Sequence, residues 1–472
     1  MSSLHLRSIL RLVFAGLVFA SPIFIFIMIQ MGGVTFPFWD NWEAVPFLVQ
    51  YYDEGIWPTL KQIVTLPNQH CRPVTLRLVQ LFNGVLTHWD IRSEYIYLYL
   101  ALFGTFLVHC GIVRRLDGAK KGLSLPAWCL LSLVSILYFS PANHNNHWWS
   151  WMLQLNLYNF FSLAALALIC FEPRSWRANW LALLFCWLSV YTLTNGLFLV
   201  LVVAGISQLA SARPRRFSRM TFFWLVNIVA IYVTYFPVPE PGMAARPSLL
   251  KVLVFVLAYL GTPIATLVNF PYRNLFEPPL HIEFSAIVGA FLLMGFAHLL
   301  YRLRKELLAP RAPLLLMLGF AAFVLLSAGG TGWGRVTFDH YGVRNGGSSR
   351  YVMTSSYFLF GMLYFLFDRW KKRIGVELER SRPSRILRLG LGVFLVFMCL
   401  SVRTYARSVN LYLQARTHNA LISRGFHPDG RNTDVDMFLY PNKERLIYMR
   451  NQLVRLRLGP YAYPRGAVSL LR

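Results

Sequence analysis

Apolar runs recur along this chain, and short stretches rich in arginine and lysine separate them. A run of about 18 or more apolar residues is long enough to cross the hydrocarbon core of a bilayer as a helix. Unpaired backbone groups are costly in hydrocarbon, so such runs fold as helices whose hydrogen bonds are internal. Hydrophobic residues make up 56% of the 472 and charged ones 14%, against about a quarter charged in an ordinary soluble domain. The sequence therefore predicts an all-α, polytopic membrane protein with about 11–13 spans.

Arg7 and Arg11 precede the first run, Leu12–Gln30, which reads as a signal anchor because it is long and no small-x-small cleavage site follows. Further spans are expected over Tyr95–Val113, Leu123–Phe139, Leu153–Phe171, Trp180–Leu193, Leu197–Leu209, Thr221–Phe236, Phe284–Leu300, Leu314–Ala328, Val352–Phe367 and Leu387–Val402. Leu250–Phe270 is expected to be broken or re-entrant, since Gly261 and Pro263 interrupt it and a full crossing there would upset the alternation of sides. Lys and Arg gather in the loops of one side, as in the basic run Arg369–Arg388, which is the positive-inside pattern. A net charge of +26 spread in this way signals topology and sets nucleic acid aside as a partner. The expected organisation is a transmembrane domain over 1–403, with a first outer loop at 31–94 and a late one at 329–351, then a small extramembrane tail over 404–472. Five of the six cysteines lie in or beside apolar runs and none forms a CxxC pair, so no zinc or redox motif is indicated.

The chemistry-bearing residues cluster in the outer loops. The first loop opens with FWDNWEAVP, and helix-like spacing over Glu43–Glu54 and Val74–Leu86 predicts amphipathic helices lying in the interface. Asp40, beside Trp39 and Trp42, is a carboxylate near an apolar surface; it can serve as a general base or as a helix cap. Glu43 shares its face if this turn is helical, while Asp53 and Glu54 before Gly55 mark a helix end. Asn68, Gln69, His70 and Arg72 form a polar cluster, with an Arg fork suited to phosphate. His144 and His147 have a spacing that a metal could use, but no third ligand follows, and with Trp149, Gln154 and Asn156 they equally suit a sugar. The late loop supplies Arg335, Asp339, His340, Arg344, Arg350 and Tyr351, of which Arg350 stands at a span mouth where a phosphate can sit. Arg273 and Glu277 are weaker candidates.

In order, FWDNWEAVP, NQHCRP, HWWSWMLQ and SSRY resemble the loop motifs of the GT-C superfamily of membrane glycosyltransferases, most closely bacterial polytopic members. The resemblance implies an inverting hexosyl transfer from a polyprenyl-phosphate sugar, at the periplasmic face of the bacterial inner membrane. It puts the base for an acceptor hydroxyl on Asp40, with Glu43 beside it. The donor phosphate falls to Arg350, with Arg72, Arg335, Arg344, Tyr351 and His70 as further candidates. The sugar or acceptor falls to His144, His147, Trp149 and Gln154, and the acceptor is a glycan, lipid or protein. An adjacent acidic pair is replaced here by Asp40-Asn41, which leaves a divalent cation open and assigns no metal ligand. Two other readings stand beside this one. A flippase for lipid-linked sugar predicts ionisable groups in mid-span, and a glycan ligase or polymerase would use the same arginines.

Overall fold

The structure, a computed structural model, describes residues 3–68, 71–119, 122–210, 219–235, 247–268, 282–338, 342–377, 385–425, 440 and 442–462. These residues form helices: α1 (Ser3–Gly32), α2 (Val45–Glu54), α3 (Ile56–Thr65), α4 (Val74–Thr87), α5 (Ile91–Asp117), α6 (Leu125–Tyr138), α7 (His144–Trp148), α8 (Leu153–Phe171) and α9 (Trp176–Val190). The order continues with α10 (Gly196–Leu209), α11 (Arg219–Tyr235), α12 (Leu249–Val268), α13 (Ile282–Arg302), α14 (Ala312–Phe338), α15 (Ser349–Glu377), α16 (Arg385–Gly425) and α17 (Lys443–Leu456). The β-type pairing seen among them is a single isolated bridge between Asn68 and Cys71.

Among the described residues, seven helical stretches are long and apolar enough to cross a membrane: Ser8–Gly32, Ile91–Asp117, Leu125–Trp148, Ser150–Phe171, Leu249–Val268, Ile282–Arg302 and Ala312–Thr337. The chain is thus an all-α, multi-pass membrane protein. The other expected crossings fall on shorter helices, as in α10 and α11, or on α15 and α16. In α15 the cause is polarity that the bundle absorbs. Thr354 donates to Asn159 Oδ1 at 3.0 Å and Tyr357 to the Asn159 carbonyl at 3.2 Å. Local signals set the helix ends. Asp90 caps α5 by accepting from Arg92 N at 3.0 Å, and Gly118 closes it at φ +66°.

Three elements differ from the sequence reading. Helix α12 is unbroken through Gly261 and Pro263. Its glycine serves packing: a Cβ on Gly261 would lie 1.9 Å from the Ser285 carbonyl, and one on Gly289 of α13 1.8 Å from that of Leu257. Two backbones in contact is how small residues join helices where lipid offers no hydrophobic drive. Helix α14 runs to Phe338, so the first part of the 329–351 stretch is helical. Helix α16 continues to Gly425, so residue 404 lies inside a helix; Tyr412 and Asn419 from it pack on Gly32 and the residues around it.

Helices α3 and α4 are amphipathic with their apolar faces outward. In α4, Leu78, Phe82, Val85 and Leu86 are exposed while Arg77, Gln80 and Asn83 are buried. Arg77 turns in to donate to the carbonyls of Leu66 and Ile63, which satisfies the end of α3. Helix α2 ends at Glu54 with Gly55 at φ +88°, as the Asp53-Glu54-Gly55 run predicts.

The α12–α13 contact gives the first prediction. Gly261→Ala inserts a methyl where no space exists and costs about 1–3 kcal/mol of stability. A lowered midpoint in a detergent-solubilised thermal melt is the expected result; an unchanged midpoint would show that the two backbones are not in contact.

Candidate active site

Asp40 lies in a 3-10 turn, Trp39–Ala44, that follows α1. The turn is pinned from below by buried amide and indole groups. Asn41 donates to Ser150 Oγ at 3.0 Å and accepts from Trp149 Nε1 at 2.8 Å; the same indole N–H also reaches the Phe38 carbonyl at 3.1 Å. Asn146 Nδ2 donates to the Arg350 carbonyl at 3.1 Å, which ties the 141–151 stretch to the start of α15. The Asn-rich HWWSW segment is therefore the floor on which Asp40 and Arg350 are both set.

Asp40 is half-buried. Burial pushes its carboxyl up to about 6, and the neighbouring Glu43 adds to the rise; Arg335 and Arg350 act in the opposite direction. A carboxyl in this range is a competent base at neutral pH. Asp40 lines a cavity of about 220 Å³ whose polar wall includes Asn68, Gln154, Asn195, Thr331, Arg335 and Arg350. Tyr158, Tyr259, Tyr351 and Leu155 supply its apolar wall. The Arg350 guanidinium sits 5.2 Å from the Tyr351 ring centre and reaches Asn345 Oδ1 at 3.4 Å. Tyr351 in turn stacks on Tyr259 at 5.3 Å.

The structure brings Asp40, Arg335, Arg350, Tyr351, Trp149 and Gln154 to one cavity. Others of the candidates go elsewhere. Arg72 turns to α11, donating to the Thr234 carbonyl at 3.2 Å, where it satisfies a helix end. Arg344 is exposed and Asn345 beside it is buried. His144 and His147 are fully buried, and His147 Nδ1 is hydrogen-bonded to Tyr412 Oη of α16 at 3.0 Å, a contact that locks α7 to α16. Glu43 is spent on the tail, with Tyr440 donating at 2.5 Å to one oxygen and Arg445 pairing at 2.7 Å with the other. Gln69, His70, Arg273, Glu277, Asp339 and His340 lie outside the described residues. Among the described residues no group of three or more His, Cys, Asp or Glu could hold a metal ion. Cys71 lines the cavity, but burial pushes its thiol up to about 11, so it is protonated at neutral pH.

Asn195, Thr331, Tyr158 and Tyr259 are cavity residues that the sequence did not single out. Asn195 stands between two apolar runs and Thr331, Tyr158 and Tyr259 lie within apolar helices, and only folding brings them together. Asn195 donates to Thr331 Oγ1 at 2.9 Å, joining α10 to α14 across the cavity wall. No family model, no curated protein and no solved structure matches the chain.

Two predictions come from this geometry. Asn41→Ala removes two buried hydrogen bonds, to Ser150 Oγ and from Trp149 Nε1, leaving the indole only the Phe38 carbonyl, and costs about 1–3 kcal/mol; a denaturation series on the purified protein checks it, and no loss of stability would remove Asn41 as the anchor. Asp40→Asn acts in the other direction. The folded carboxyl titrates near 6 and an unfolded one near 3.8, so between those values the folded state holds more protons and stability falls as pH rises. Asparagine has no such cost. The variant should melt higher than wild type above about pH 6, with the gap closing below about pH 4.

Proposed function

We propose that the protein is a membrane glycosyltransferase that moves a sugar from a polyprenyl-phosphate donor to an acceptor hydroxyl, with Asp40 as base. The single observation that carries the reading is the meeting of a half-buried carboxyl, raised to about 6, with Arg335 and Arg350 in one cavity. A base for a hydroxyl and a cationic cradle for a leaving phosphate are the two parts such a transfer needs. The site also lies beside helices whose apolar faces point outward, α3 and α4, which suits a lipid surface. The ion pair Arg115–Glu172, 2.7 Å long, and the Arg369–Glu306 pair accompany the basic loops at the C-terminal ends of α5, α8, α13 and α15, away from the residues of α8 and α15 that line the site, in keeping with an outward-facing site. In this reading the shorter apolar helices, with α15 and α16, complete a bundle of about 11–13 crossings in the bacterial inner membrane.

The Asp40 carboxylate takes the proton of the acceptor hydroxyl as the oxygen's electron pair attacks the anomeric carbon. The bond from that carbon to the phosphate oxygen breaks, and its electron pair leaves on polyprenyl phosphate. Arg335 and Arg350 stabilise the charge gained by the phosphate, which needs no protonation to leave. Attack and departure on opposite faces invert the anomeric centre. Arg335 lines the same cavity as Asp40 and opposes the rise of its carboxyl, so its charge bears on the space a phosphate would enter. Mid-span chemistry of the kind transport requires is not favoured: His109 of α5 is fully buried, shares a 2.6 Å hydrogen bond with Tyr364 and lines neither cavity at Asp40.

The test uses purified protein in lipid nanodiscs with radiolabelled polyprenyl-phosphate hexose and a panel of acceptors, following release of polyprenyl phosphate. Release should rise with pH through about 6, the value at which the base is freed. Asp40→Asn should lower it by about 10²–10⁴-fold, and Arg335→Ala by about 10²–10³-fold. Equal release from wild type and Asp40→Asn would remove Asp40 as base, and no release from any donor would sink the transferase reading.

A further inference from the structure

Asp40 and Asn68 line a second cavity of about 510 Å³, and its other walls are not shared with the first. One wall is Trp39, Glu43 and Phe47, the next is Gln62 and Ile63 of α3 with Leu66, and the third is Tyr440, Asn442 and Arg445 at the entry to α17. The tail is fixed there by the Glu43–Arg445 pair and by Arg455, which grips Asp53 with two bonds of 2.9 and 2.7 Å. The carboxyl of Asp40 is thus reached from two spaces, one bounded by the helices of the bundle and one by the first loop and the tail.

Three features of the second space point to one ligand class. The Trp39 indole is 44% exposed although Phe38 before it and Asn41 two residues on are buried, and it is held there by a backbone at φ +48°. A left-handed conformation at a bulky non-glycine residue is costly and collects at functional sites. Gln62 Oε1 is a buried acceptor with no hydrogen-bond partner among the described residues; such an atom costs stability until a donor arrives. The charged groups of the walls balance, Asp40 and Glu43 against Arg77 and Arg445, with Glu43 and Arg445 paired, which favours neither an anion nor a cation. A flat aromatic face beside an unspent acceptor fits a sugar ring, which offers a C–H face to stack and hydroxyls to donate.

We infer that this outer cavity is the acceptor site and that it takes a neutral saccharide, stacked on Trp39, with one hydroxyl donated to Gln62 and another presented to Asp40. The assignment rests on the transferase reading for the word acceptor, but the binding it describes does not need catalysis. It also moves acceptor recognition away from His144 and His147, which the fold buries.

The experiment is saturation-transfer NMR on the full chain in nanodiscs, with methyl hexosides and neutral disaccharides as probes and glucuronate and glucosamine as charged counterparts. Wild type and Asp40→Asn should both saturate a neutral probe, and the charged ones should bind more weakly. Trp39→Gly, which suits the positive φ while removing the ring, should weaken binding by about tenfold or more. Trp39→Phe should retain it within about threefold. Gln62→Leu, on the opposite wall, should weaken it by about fivefold, and Trp57→Ala, a 79% exposed indole outside the cavity, should leave it unchanged. Absence of any neutral saccharide signal, or full binding by both Trp39→Gly and Gln62→Leu, would overturn the assignment. Binding that depends on Trp39 without any release of polyprenyl phosphate would keep the saccharide site and sink the transferase; release that depends on Asp40 with binding indifferent to Trp39 would do the reverse.

Discussion

The placement of Asp40 depends on the hydrogen bonds between Asn41 and the 148–151 segment. Asn41 is 1% exposed and spends both ends of its amide, on Ser150 and on Trp149. Val34 N bonds the Trp148 carbonyl at 3.0 Å, and the Tyr95 hydroxyl of α5 bonds the same oxygen, so the floor is tied to α1 and α5 as well. Within an apolar bundle each of these polar groups would be expensive alone, and paired they fix one geometry. That is why a loop residue can be held against the mouths of α14 and α15, which are distant in sequence. The lattice spans from Phe38 to Arg350 through Trp149, Asn41 and Asn146.

The helical, multi-pass fold was legible because hydrophobic length is a local property. The apolar runs at Leu12, Tyr95 and Leu153 are helices α1, α5 and α8, and the Asp53-Glu54-Gly55 stop is the end of α2. The errors came where one residue type serves two purposes. Gly261 reads as a breaker in a linear sequence, yet in α12 it is a contact surface for α13, and only the partner helix reveals this. Thr262 donates to the Ala258 carbonyl at 2.6 Å and Thr266 to that of Thr262 at 2.8 Å, so backbone oxygens around Pro263 retain partners.

The site was legible in part for a similar reason. A carboxylate among tryptophans at the end of a span, and an arginine at the mouth of another, are visible as misfits to their surroundings. Their meeting is tertiary and is read only from the structure. Buried histidines gave the wrong hint: His147 looks like a ligand by spacing, but its ring nitrogen satisfies Tyr412 across to α16. Arg72 looks like a phosphate grip and instead closes α11. In both cases a polar side chain that a functional reading would claim is used to satisfy the backbone or a neighbour inside an apolar bundle, where unsatisfied groups cost most. Asn195 and Thr331 carried no signal, being an ordinary loop residue and a residue inside α14 until α10 and α14 come together.

Two neighbouring residues bear costs that the fold does not need. Asp40 is kept where its charged form is disfavoured, by burial and by Glu43, although Arg335 and Arg350 could hold it as a plain ion pair if the protein merely required stability. Trp39 adopts a left-handed backbone while its ring stays partly in the open. A bundle with so large an apolar core could relax both, by an asparagine at one position and a glycine at the other. In the proposed reading, their persistence side by side, between a cavity lined by span ends and a cavity closed by the tail, is a division of labour between base and saccharide binding. The buried carboxyl gains basicity from the same desolvation that costs stability, and the strained turn sets the indole beside it at a fixed angle. In the proposed reading, the arginines that oppose this rise are also the groups that would meet an anion entering the inner space. Glu43 completes the arrangement from a distance: tied to Tyr440 and Arg445, it raises its neighbour's proton affinity while the tail takes up its own charge.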